Sequence, residues 1–148
     1  MKSLLAAFAL ALAAAPAASA GGAITVPLHP VNGSGQSGVA ILTPTANGYT
    51  VTVKLRGRNV QLGEHDHIHN LTCARYAKLA PHPKAPTATQ ISNQLATVTE
   101  SLNDIVNGTS KTRIPARLAD VTTGGFSINV HQPGGPYTAV ACGNVPKR

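Results

Sequence analysis

The segment YTVTVKL, residues 49–55, alternates apolar and polar side chains at every step and follows the dipeptide Asn47-Gly48. A period of two is what a strand with one buried and one wet face requires, and Asn-Gly is a hairpin turn signal. The same punctuation recurs along the chain. AITVPL (23–28) and GVAILT (38–43) read as strands around the turn-rich NGSGQSG, and GFSINVH (125–131) and YTAVAC (137–142) flank the turn QPGGP. TRIPARL (112–118) reads as an edge strand, because Pro115 cannot donate to a central ladder. Residues 70–101, with Pro81, Pro83 and Pro86, read as one long loop; ISNQLATVTESL (91–102) offers the single helical candidate. Seven to eight short antiparallel strands with Gly/Pro turns predict an all-β Greek-key barrel or sandwich.

The first twenty residues fall outside that pattern. Lys2, an unbroken apolar run from Leu4 to Ala15 and the small-residue triplet ending at Ala20 form a secretory signal peptide, too short for a membrane span. Cleavage after Ala20 leaves 128 of the 148 residues, the size of one domain (21–148), expected in the periplasm or secreted. Of 12 Lys and Arg, 11 remain beyond Lys2, against 5 acidic residues, a net charge of +6. The cations are scattered and the aromatic rings few, so neither a nucleic-acid partner nor a membrane partner is expected. Two cysteines in an exported chain, Cys73 and Cys142, most simply pair as a disulfide; their alternative use is as metal-bound thiolates.

The chemistry concentrates in EHDHIHNLTC, residues 64–73. On a strand, His65, His67 and His69 share one face, while Asp66 and Ile68 share the other, with Ile68 the natural core residue. An H-x-H pair brings two imidazoles near one ion, and a metal needs at least one more donor. His131 ends the strand SINVH and supplies it if the two strands lie close. A solvated histidine face is the alternative. His65 or His82 is the candidate fourth donor, with His65 preferred because it shares the row. His29, beside Pro30, is expected simply to be exposed.

HIH followed closely by a cysteine, then INVH and a closing ACG, resembles the copper/zinc superoxide dismutases and their metal-binding relatives. HIH paired with NVH is also similar to the chordin-type (CHRD) domain. The likeness covers about residues 35–143. It implies a dismutase-like β-barrel, copper on His67, His69 and His131, and a disulfide between Cys73 and Cys142. The departures matter as much. After Cys73 the chain has only His82 and no Asp before Asp104, so a dismutase-type zinc site cannot be built. Ala139 stands where the family keeps its anion-steering arginine.

Imidazole suits copper and zinc alike; one copper ion is expected from the resemblance, with zinc the alternative. The leading expectation is an exported copper-binding protein that buffers or delivers the ion. A copper-only dismutase and a metal-free β-sandwich interaction module are the alternatives. Whether the chain is an enzyme stays open. No G-x-S-x-G elbow is present and no close acid pair beyond Glu64/Asp66, so hydrolase chemistry has no support.

Overall fold

The structure is a computed structural model, and it describes residues 21–79, 87–133 and 138–148. The proposed leader (1–20), His82 with its prolines, and most of the QPGGP turn lie outside the described residues. Eight strands form the body: β1 (Ile24–Pro30), β2 (Gln36–Thr45), β3 (Gly48–Gly57), β4 (His65–His69), β5 (Val98–Ser101), β6 (Thr109–Ile114), β7 (Ser127–His131) and β8 (Ala139–Asn144). They make one antiparallel, nearly closed sheet in the order β5-β4-β7-β8-β1-β2-β3-β6. The architecture is therefore all-β and barrel-like.

The alternation that predicted the strands also sorts their side chains. Val51, Val53 and Leu55 of β3 point inward with Val26, Leu28, Leu42, Ile68, Ile128 and Val130, all buried in one apolar cluster. Burying a side chain of this size contributes about 1.5–3 kcal/mol, so this interior is the main source of stability. The hairpin joining β2 and β3 pairs Thr45 with Gly48. Gly48 sits at φ +133°, and a Cβ there would lie 2.1 Å from the Ile114 carbonyl oxygen, so only glycine fits beside β6.

Three sequence expectations need correction. Residues 70–101 are not a structureless loop: they contain α1 (Cys73–Tyr76), α2 (Ala88–Leu95) and the edge strand β5. The helical candidate was placed a few residues late, because Thr87 and Gln90 form a capping box that starts α2 earlier. The strand read at 112–118 is β6, Thr109–Ile114; it ends before Pro115, and another short helix, α3 (Leu118–Val121), follows. β6 does lie at an end of the strand order, as an edge strand should.

All five residues of β7 are buried, although only Ile128 and Val130 face the barrel interior. Its other face, with Ser127, Asn129 and His131, is covered from outside, and α1 packs on β7 and β8. The Cys73–Cys142 disulfide fixes α1 there, and the Cys73 amide donates to Asn144 Oδ1 at 2.8 Å. With both sulfurs in that bond, the thiolate-ligand alternative for the cysteines is closed.

Candidate metal centre

β4 and β7 lie side by side, with His65 opposite His131, His67 opposite Asn129 and His69 opposite Ser127. Residues directly opposite in an antiparallel pair share a face, so the histidine row and His131 stand together on the outer surface of the barrel. Ile68 is fully buried on the inner side, as the alternation required. The covered outer side is not a solvated face, since His69 and His131 are each only 1% exposed.

His131 is in register with His65, yet its ring lies against the other two. Ring centroids are 5.3 Å apart for His67 and His131, 5.8 Å for His69 and His131, and 5.7 Å for His67 and His69. One ligand nitrogen from each of the three lies within 4.8 Å of the others. Nitrogens sharing one ion at bonds of about 2.0 Å stand roughly 3.3–3.6 Å apart, so closure of about 1 Å would complete a three-imidazole site.

The state of His69 follows from its partners. Its Nδ1 lies 2.8 Å from Thr97 Oγ1, and that hydroxyl donates its one proton to the Gln94 carbonyl at 2.7 Å. Thr97 must therefore accept from His69 Nδ1–H, which leaves Nε2 as the unprotonated, lone-pair nitrogen. That Nε2 is buried and has no hydrogen-bond partner among the described residues. An unprotonated imidazole nitrogen inside a histidine cluster, with its ring fixed from the other side by a hydrogen bond, is suited to ligate a metal ion.

Burial also favours the neutral form of His67 and His69. Desolvation, with a smaller contribution from His67, pushes His69 down to about 3. Desolvation and then His65 lower His67, against a smaller upward pull from Asp104. Protons therefore compete weakly for the nitrogens of these two rings near neutral pH.

His65 does not join the cluster. Its ring is partly exposed and its Nδ1 sits 2.6 Å from Asp104 Oδ1, so a fourth bond from that nitrogen would require breaking the pair. His29 is exposed, in line with expectation. Ala139 is buried directly across from His131 and brings no charge to the site.

Sequence reasoning missed Tyr76 and Thr97. Tyr76 is buried, with its ring 4.6 Å from His69 and 5.8 Å from His131, and so roofs the cluster. Its spacing three residues beyond Cys73 was the available signal, since one helical turn separates anchor from roof. Nothing local marks Thr97. The face that Asp66 shares with Ile68 also carries Glu64, and both acids are buried just inside the barrel. Glu64 accepts from Gln36 Nε2 at 2.8 Å, and Asp66 accepts from Ser110 Oγ at 2.8 Å.

No curated protein is similar enough to this chain to count as a match. The family model described as CHRD domain does match, over residues 16–141, which takes in all of β1 to β7 and the three clustered histidines. That match spans well over half of the 148 residues, and the chain belongs to the CHRD domain family.

Proposed function

We propose that this protein is an exported copper-binding protein that holds one ion on His67, His69 and His131. The observation carrying the reading is the convergence of three imidazole nitrogens within 4.8 Å, two of the rings being almost fully buried. An all-imidazole donor set favours copper over zinc on intrinsic affinity, and the likeness to the copper half of the dismutase site points the same way. Export is supported by the character of residues 1–20 and by the disulfide, which persists in oxidising compartments.

Holding the ion fits better than catalysing dismutation. Tyr76 covers the rings, and alanine stands where a cation would draw superoxide inward. The half-buried His67 edge is the way in for an ion. Among the described residues, no helix is long and apolar enough to cross a membrane.

The test is metal content of protein purified from the periplasm, followed by copper titration of wild type and of His67→Ala, His69→Ala and His131→Ala. Near-stoichiometric copper and a loss of at least tenfold in affinity in each variant are expected. Micromolar or weaker binding that ignores all three substitutions defeats the reading. A superoxide-decay rate of the loaded protein above that of free copper would turn the assignment from carrier to enzyme.

A further inference from the structure

Cations that look scattered in the sequence are gathered by the fold. Lys54 and Arg56 of β3 and Lys111 and Arg113 of β6 are all exposed, while Val53, Leu55, Ser110 and Thr112 between them are buried. The four side chains therefore leave one face of one strand pair. The register sets their order, because Lys111 lies opposite Thr52 and Arg113 opposite Thr50. Reading along the ribbon gives Arg56, Lys54, Lys111 and Arg113, one cation at each successive outward position. Each step is two residues, roughly 6.8 Å, so the row extends about 20 Å.

This charge is uncompensated. No acidic residue occurs on β2, β3 or β6. Neither ion pair among the described residues, His65–Asp104 or Arg117–Asp120, involves these four side chains. Two of the five acids, Glu64 and Asp66, are sequestered in the barrel interior. Neighbouring cations closer than a Debye length of about 8 Å reinforce one another, giving a strip of positive potential along the ribbon.

We propose that this outer face of β3 and β6 binds a linear anionic polysaccharide, with its acidic groups laid along the Arg56–Lys54–Lys111–Arg113 row. The row is one-dimensional, which suits an extended chain with regularly repeated carboxylates or sulfates. The outward positions of β2, β3 and β6 hold Thr, Ser, Val and Ile but no aromatic ring for bases to stack on. None of the four cations belongs to the histidine cluster or bonds to it, so the face acts independently of any metal.

The experiment measures binding of dextran sulfate and of polygalacturonate to the purified protein by calorimetry, in chelator, at 50 and 150 mM salt. Binding that weakens with salt is expected, with affinity rising with oligomer length until the oligomer spans about 20 Å and levelling beyond it. The variant Lys54→Ser, Arg56→Ser, Lys111→Ser, Arg113→Ser should lose at least tenfold. A variant with the same charge loss elsewhere, Arg75→Ser, Lys78→Ser, Arg117→Ser, Lys147→Ser, should lose less than threefold. Lys54→Arg with Lys111→Arg should retain binding, which guards against a folding artefact. Equal losses in both quadruple variants, absence of binding, or equally tight binding of anionic phospholipid vesicles or single-stranded DNA would overturn the proposal.

Discussion

Asp66 and His69 sit three residues apart on β4, one inside the barrel and one outside, and they should pull the stability of the metal-free protein in opposite directions with pH. Asp66 is fully buried, and desolvation raises its carboxyl to about 7, against the downward pull of the Ser110 hydrogen bond. A raised folded pKa contributes stability that is complete below the unfolded value of 3.8 and is lost as pH climbs through 7. His69 is the reverse case. Its folded value of about 3 lies below the ordinary 6.5, so its contribution is complete above 6.5 and is lost as pH falls towards 3. At 1.36 kcal/mol per unit, each full excursion amounts to roughly 4–5 kcal/mol. Between pH 8 and pH 5 each supplies about 2–3 kcal/mol of opposite sign, so in wild type these two contributions largely offset each other there.

Asp66→Asn keeps the shape and the Ser110 contact but removes the carboxyl. The histidine limb is then unmasked. Urea midpoints followed by circular dichroism in chelator should fall with acidification, by about 2 kcal/mol between pH 7 and pH 5. The complementary His69→Gln should instead lose stability as pH rises over the same interval. If Asp66→Asn traces the wild-type profile, the buried carboxyl is not neutral at pH 5 and the reasoning is wrong.

Removing the disulfide with Cys73→Ser and Cys142→Ser releases a sequence separation of 69 residues and should cost about 4 kcal/mol on the chain-entropy model, read as a urea midpoint. A cost below 1 kcal/mol would mean that α1 is held by packing instead. Thr97→Val removes the oxygen that fixes the His69 tautomer and should weaken copper binding roughly tenfold to a hundredfold, with unfolding free energy changed by about 1 kcal/mol. Equal affinity by titration would free Thr97 of that role. Gly143→Ala places a Cβ 2.3 Å from the Pro27 carbonyl oxygen and 2.8 Å from Val26 Cγ1. Separation of β1 from β8 at a cost of about 1–3 kcal/mol should appear as a lower thermal midpoint, and an unchanged midpoint refutes the close approach.

Strand identity was legible because a period of two is a local property. Each strand carries its own alternation, and Ile68 between His67 and His69 already declares which way the row faces. The cysteine pair was legible for a similar reason, since an exported chain with two cysteines has one simple pairing. The helices between residues 70 and 101 were less visible: α1 has four residues and α2 eight, too few for a 3.6-residue period to stand out.

What the sequence determined by itself was the list of inward and outward side chains on each strand, because pleating fixes that residue by residue. It did not determine which outward faces meet. That depends on register and on closure of the barrel, which are set by contacts between segments some sixty residues apart. Only the tertiary structure places the His131 ring against those of His67 and His69 rather than against its register partner His65, and seats Tyr76 over them. The same closure lines up four cations from two strands that are separate in the chain, and it gives Asp66, already assigned to the core face by alternation, its hydrogen-bond partner Ser110 on β6.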